Sequence, residues 1–211
     1  GRTAYAIKID DGYPAYLILN KSIPEGAAFK ELLGAFPYSS VNITSKTDDG
    51  KQMLVAVHSD VNPGTIYIYD FEAKKLEFLY QYHSEFQAKE FAQMEPIKFQ
   101  SSDGLEINGY FTSAKPSEKA KIAPTVVLVH GGPHGVRDLW QFSNQIQYLV
   151  KNGFSVLQIN YRGSGGYGTQ FEYAGHKVWG TKIQQDIYEG LQWLIGQNKA
   201  SEGNSCIMGA S

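Results

Sequence analysis

Two short stretches of this chain have residue types and spacing suited to covalent chemistry. The run "SCIMGAS" ends in Gly209-Ala210-Ser211, an apolar segment entering a Gly-x-Ser turn. A strand feeding such a turn forms the first half of a G-x-S-x-G nucleophile elbow, with the serine at its apex. Small residues at 209 and 210 let the backbone turn sharply without shielding the hydroxyl. About 80 residues earlier, "HGGPHG" (residues 130–135) follows another continuous apolar run, "TVVLVH". A glycine-rich loop there can aim backbone N–H groups at a developing oxyanion. Pro133 has no N–H to give, so Gly131 or Gly132 has to be the donor. Alone, a serine after glycine is most often a mere turn, and His-Gly-Gly a tight strand-to-helix connection. The pair, each after a buried strand, points to acyl transfer at Ser211.

Composition leaves room for that chemistry and removes others. The 211 residues are 42% hydrophobic and 19% charged, ordinary for a globular protein. A net charge of -2 suggests neither a nucleic-acid surface nor an acidic tail. No stretch reaches the ~18 apolar residues of a membrane span. The single cysteine, Cys206, has no disulfide or metal-cluster partner and is expected to be a small buried side chain. The opening "GRTAYAIKIDD" reads as a strand rather than a leader, so the chain is expected to begin inside a structure, and no location is legible.

The elements that must position these stretches fall into two regimes. Residues 1–95 read as short strands: "AYAIKI", "AYLILN", "SVNITS", "QMLVAVHS", "TIYIYD" and "LEFLYQ", separated by turn residues. "KIDDGYPAYLIL" from Lys8 is echoed by "KTDDGKQMLVAV" from Lys46, each with Asp-Asp-Gly as its turn. A repeat of about 40 residues with four short strands matches the spacing of β-propeller blades. Near Pro96 the period changes. "PIKFQSSDGLEINGYFTSAK" reads as two strands, and "TVVLVH", "SVLQINYR" and "SCIMGA" as buried strands. Asp138 to Gln141 forms a capping box for a helix presenting Leu139, Phe142, Ile146, Leu149 and Val150, stopped at Gly153. A second helix runs from about Thr181 to Gln197, with Ile183, Ile187, Leu191 and Leu194 on one face. Strands alternating with such helices predict an α/β domain with a parallel sheet.

"HGGPHG", "NYRGSGGYG", "WGTKIQQDI" and "IMGAS" resemble the catalytic domain of the prolyl oligopeptidase family of serine peptidases, especially its acylaminoacyl-peptidase and dipeptidyl-peptidase-like branch. The resemblance is specific over residues 96–211; over 1–95 it rests on the repeats and "VNPGTIYIYD". It implies the last blades of an incomplete β-propeller (1–95), then the amino-terminal half of an α/β-hydrolase domain (96–211), cut at the elbow. It also implies Ser211 as nucleophile, Gly132 as oxyanion donor with Gly131 beside it, short peptides as substrates, and no metal or organic cofactor. The family's Asp and His follow the serine, so the 211 residues alone are expected to be inactive. None of the five histidines fits the triad role. His130 belongs to the oxyanion loop, and His58, His83, His134 and His176 to surface or packing. Asp186 reads as structural, and Arg162 with "GSGGYG" as a loop-shaping element.

Two rival readings remain. A carboxylesterase uses the same hydrolase machinery, and the piece by itself could be a non-catalytic interaction module. In the hydrolase strand order the "SCIMGA" strand lies beside "TVVLVH", with its other neighbour coming later in the chain. Residues 205–210 would then be an unpaired edge through which chains self-associate.

Overall fold

The computed structural model describes residues 3–85, 88–115 and 121–211. Two compact units emerge: Gly1–Glu90 with Gln141–Ser143, and Phe91–Trp140 with Asn144–Ser211. No helix among the described residues is long and apolar enough to cross a membrane.

In the first unit every predicted strand is present. β1 (Ala6–Asp11) and β2 (Tyr13–Ile18) form a hairpin turning at Gly12. β3 (Ser40–Lys46), β4 (Gln52–His58), β5 (Thr65–Asp70) and β6 (Lys75–Gln81) form a four-stranded antiparallel meander in that order. Both Asp-Asp-Gly sequences lie at hairpin turns, β1–β2 and β3–β4, so the echo is one of hairpins.

Between the hairpin and the meander lies an element that the strand pattern does not predict, α1 (Pro24–Ala35). Pro24 opens it at a position whose N–H has no helical partner anyway. Ala28, Phe29 and Leu32 are buried against Val41, Met53, Val55, Val57 and Tyr69. Gly26 and Gly34 weaken its intrinsic propensity, so this buried face is what holds the helix.

The second unit is built on a five-stranded sheet of order β11-β9-β10-β8-β7. β7 (Met94–Gln100) and β8 (Glu106–Thr112) form an antiparallel hairpin, and β8 pairs antiparallel with β10 (Ser155–Asn160). β10, β9 (Thr125–Val129) and β11 (Ser205–Gly209) run parallel. The sheet is therefore mixed, with its parallel part where the three segments read as buried strands fall. Pro96 lies within β7, an outer strand, where a missing N–H is tolerated.

Both faces of this sheet are covered. α4 (Lys182–Gly196) and the short α3 (Thr169–Tyr173) bring Ile183, Ile187, Leu194 and Phe171 onto Ile97, Phe99, Ile107, Leu157 and Ile159. α2 (Asn144–Lys151) brings Ile146 onto Tyr110, Val156 and Trp140 on the opposite face. Every residue of β10 is buried, the polar Ser155, Gln158 and Asn160 included, as expected of a strand covered on both faces.

α2 starts five residues later than the capping box predicts. Asp138 does not cap it. Its N–H donates to Asn160 Oδ1 at 2.8 Å and its carbonyl accepts from Asn160 Nδ2 at 3.0 Å. The Trp140 indole donates to the Met94 carbonyl at 3.0 Å. These contacts satisfy polar groups of the 138–140 stretch without a helix. Cys206 is a second correction: it is exposed rather than buried. β11 is the outer strand of the described sheet, and Ile207 and Met208 beside it are 70% and 45% exposed.

Candidate active site

The parallel register brings the two chemical stretches together. β11 pairs with β9 from Ser205↔Thr125 through Gly209↔Val129. The next residues, Ala210-Ser211 and His130-Gly131, therefore leave the sheet side by side at the carboxyl ends of their strands, where α/β sheets bind ligands. A Cβ on Gly209 would lie 2.9 Å from the Val129 carbonyl oxygen, so only glycine permits this approach. A Cβ on Gly131 would lie 3.1 Å from Ser211 Cβ and 3.4 Å from Ser211 Oγ.

Ser211 itself has φ 75°, the left-handed region that non-glycine residues rarely occupy. A serine held there after a parallel strand has the strained geometry of a nucleophile elbow. Gly132 follows in the loop with φ 121°, and its peptide bond to Pro133 is cis. Gly131 is thus set directly against Ser211, with Gly132 adjoining it in the chain.

The His130 ring lies under this loop. Nδ1 is 2.8 Å from the Gly131 carbonyl oxygen and Nε2 is 3.0 Å from Ser164 Oγ. The ring stacks on Tyr161, with centroids 4.4 Å apart and planes 16° from parallel. The Tyr161 hydroxyl donates to the His130 carbonyl at 2.8 Å. Burial, with the nearby Asp138 carboxylate adding to it, leaves the Tyr161 hydroxyl pKa pushed up to about 12. Burial likewise raises Asp138, opposed by the charge of His130 and by hydrogen bonding from Gln158.

Behind Tyr161, Arg162 ties the glycine-rich loop to two other segments. Its Nε and Nη2 donate to Asp186 at 2.8 and 2.7 Å, and its backbone N–H to Asp186 at 2.9 Å. Nη1 and Nη2 also reach the two oxygens of Asp103, at 2.8 and 2.9 Å, and Lys182 adds a contact to Asp103 at 2.6 Å. Asp186 is fully buried, as its structural reading requires. The Arg162 hydrogen bonds hold the Asp103 carboxyl far below the usual range. His134 and His176 pack edge-on, with centroids 4.3 Å apart, beside Trp179 and Tyr173.

Sequence reasoning gives no site role to Tyr161, Ser164 or Asp103, and reads Asp138 only as a helix cap. Tyr161 and Ser164 lie inside the quoted "NYRGSGGYG", so that signature carried the signal without revealing roles. Asp138 and Asp103 meet their partners across 22 or more positions, a separation no local pattern encodes. Among the described residues no group of three or more His, Cys, Asp and Glu could hold a metal ion.

A mixed, sheet-rich α/β architecture with a serine and a glycine loop at adjoining strand ends defines the class to which this chain conforms. The model of the prolyl oligopeptidase family matches residues 140–211, and the chain belongs to that family. Dipeptidyl aminopeptidase BIII of Pseudoxanthomonas mexicana is 32% identical over 187 residues, covering 86% of this chain and 27% of that protein. The acylamino-acid-releasing enzyme of Arabidopsis thaliana is 48% identical over 102 residues, covering 48% of this chain and 13% of that protein. A solved acylaminoacyl peptidase in complex with Z-Gly-Gly-Phe-chloromethyl ketone superposes with a TM-score of 0.62 at 26% identity, covering 80% of this chain and 27% of that one. The chain thus spans little more than a quarter of the relatives it matches over most of its length.

Proposed function

We propose that this chain contributes the nucleophile and the oxyanion loop of a serine peptidase that cleaves short peptides through an acyl-enzyme. In this reading residues 1–95 are closing blades of a β-propeller and residues 96–211 the first half of an α/β-hydrolase domain. Ser211 Oγ attacks the peptide carbonyl while a histidine takes its proton and an Asp orients that histidine. Both partners would come from residues outside these 211. The oxyanion that forms accepts a hydrogen bond from the Gly132 N–H. A single such donor contributes roughly 10²–10³ in rate. Water then releases the acyl group.

The observation that carries the reading is the β9–β11 register, which sets Gly131 against a Ser211 held at positive φ. The names of the relatives support peptides as substrates, since one is a dipeptidyl aminopeptidase and another an acylamino-acid-releasing enzyme. The solved relative carrying a peptide-derived chloromethyl ketone supports the same class.

Hydrolysis of aminoacyl nitroanilides and of p-nitrophenyl esters by the longer protein containing this chain is the test. Turnover of the anilides, lost in Ser211→Ala, is the expected result. Turnover confined to esters would make it a carboxylesterase, and none at all an interaction module. The 211 residues by themselves are expected to stay at background, because removing triad members costs several powers of ten. Anilide turnover by the isolated chain, abolished by Ser211→Ala, would contradict that.

A further inference from the structure

The loops after β9 and β10 are tied together at two successive carbonyls, those of His130 and Gly131, and both ties start in buried side chains. The Tyr161 hydroxyl donates to the His130 carbonyl at 2.8 Å and lies 3.4 Å from the Gly131 carbonyl oxygen. The second tie runs through the His130 ring. Nδ1, 2.8 Å from the Gly131 carbonyl oxygen, is the donor there, because a carbonyl only accepts. In a neutral imidazole the other nitrogen accepts, and Nε2 meets Ser164 Oγ at 3.0 Å. The single Ser164 hydroxyl proton is directed to Nε2, because the Tyr161 carbonyl, 2.6 Å from Oγ, already receives the Ser164 N–H at 3.0 Å. Tyr161 is 4% exposed and Ser164 0%, so water does not compete for either tie.

We infer that Tyr161 and Ser164 are positioning residues for the oxyanion donor, holding the His130–Gly131 and Gly131–Gly132 peptides in one orientation. Both peptides are trans. In a trans peptide the C=O and the following N–H point in opposite directions. Fixing the His130 carbonyl on Tyr161 therefore turns the Gly131 N–H away from that hydroxyl. Fixing the Gly131 carbonyl on the His130 ring turns the Gly132 N–H away from the ring. Both carbonyl oxygens lie within 3.4 Å of the same hydroxyl, so both N–H groups are turned from it. Successive N–H groups presented in this way suit an anion.

The brace is itself anchored on both sides. Between Tyr161 and Ser164, Arg162 is locked to Asp186 and Asp103. Just after Ser164, the Gly165 N–H donates to the Val136 carbonyl at 3.1 Å. A Cβ on Gly165 would lie 2.6 Å from the Gly135 carbonyl oxygen, so the glycine-rich loop seats directly on the far end of the oxyanion loop. Tyr161 and Ser164 act through His130 and the backbone, without touching substrate. The link to catalysis rests on the peptidase reading above, whereas the brace does not.

Tyr161→Phe removes one hydroxyl and keeps the ring that stacks on His130, and Ser164→Ala removes the other. Hydrogen exchange in the longer protein containing this chain, read by mass spectrometry, is the first arm. Peptides covering residues 128–137 are expected to exchange about 2- to 10-fold faster in each variant, the factor that one net hydrogen bond represents. Peptides covering β7, β8 and α4 are expected to keep their wild-type rates. Aminoacyl-nitroanilide turnover is the second arm. There kcat is expected to fall about tenfold or more at unchanged KM, the mark of an interaction made only in the transition state. Unchanged exchange at 128–137 in Tyr161→Phe would overturn the inference. Faster exchange spread evenly over β7, β8 and α4, a merely structural loss, would overturn it too, as would a loosened loop with kcat unchanged. Should Ser164→Ala fail to fold, Tyr161→Phe decides alone. A wild-type protein without turnover, whose loop still loosens in the variants, would sink the peptidase reading and uphold the brace.

Discussion

β10 and β11 flank the same parallel neighbour, β9, and each ends in a loop of the candidate site, yet they are held in different ways. All six residues of β10 are buried, and the loop after it is pinned by Arg162 between Asp186 and Asp103. β11 pairs on one side only within the described sheet, and four of its five residues are exposed. The supporting half of the site is therefore fastened by buried polar contacts. The half that carries Ser211 depends on the β9 register and on the small residues that let the strands approach. In the proposed peptidase reading, preorganisation of the donor loop and accessibility of the nucleophile would fall to different strands.

The largest effect should come from the buried pair. Arg162→Met leaves Asp186 buried without its counter-charge, which costs about 3–5 kcal/mol, read as a lower denaturation midpoint. A loss below about 1 kcal/mol, the scale of an exposed ion pair, would mean that the network is decorative. Next come two truncations in one sheet. Leu157→Ala in β10 should cost about 2–5 kcal/mol, whereas Met208→Ala in β11 should stay within about 0.5 kcal/mol. Equal costs would dissolve the contrast between the strands.

The acid limb sharpens it further. Asp103 is depressed chiefly by Arg162, so its contribution is present above the unfolded value near 3.9 and is lost as pH falls through the folded value. Stability should decline below about pH 4, and Asp103→Asn should flatten that decline. An unchanged acid limb in the variant would contradict the assignment. The smallest effect concerns the exposed edge: if residues 205–210 associate between chains, sedimentation at micromolar concentration should show oligomers, which an added Lys at Ile207 disperses. A monomer at all concentrations would remove that proposal.

What was legible in the sequence follows the same division. β9 and α4 announce themselves through a continuous apolar run and a 3.6-residue stripe, and β10 and β11 through short segments with aliphatic centres, although β10 is buried throughout and β11 is mostly exposed. Ser211, Gly131 and Gly132 were legible as types at strand ends. α1 was hidden by its two glycines and lies among strands whose turns dominate the pattern. The helix start at Asp138 was misplaced because the deciding partner, Asn160, is 22 positions away. The exposure of Cys206 was misjudged because an apolar run does not say how many neighbours its strand has. The environment of His130 depends on three segments meeting, which no single window contains.

The central claim is that Ser211 reacts beside a donor loop in which a side chain at Gly131 would press on it. Fluorophosphonate labelling of the longer protein, with the modified residue located by mass spectrometry, tests it most directly. The account predicts modification at Ser211, none in Ser211→Ala, and labelling slowed by about 10²-fold or more in Gly131→Ala, whose new methyl would meet Ser211 3.1 Å away. Modification of a different serine, or undiminished labelling in Gly131→Ala, would contradict it.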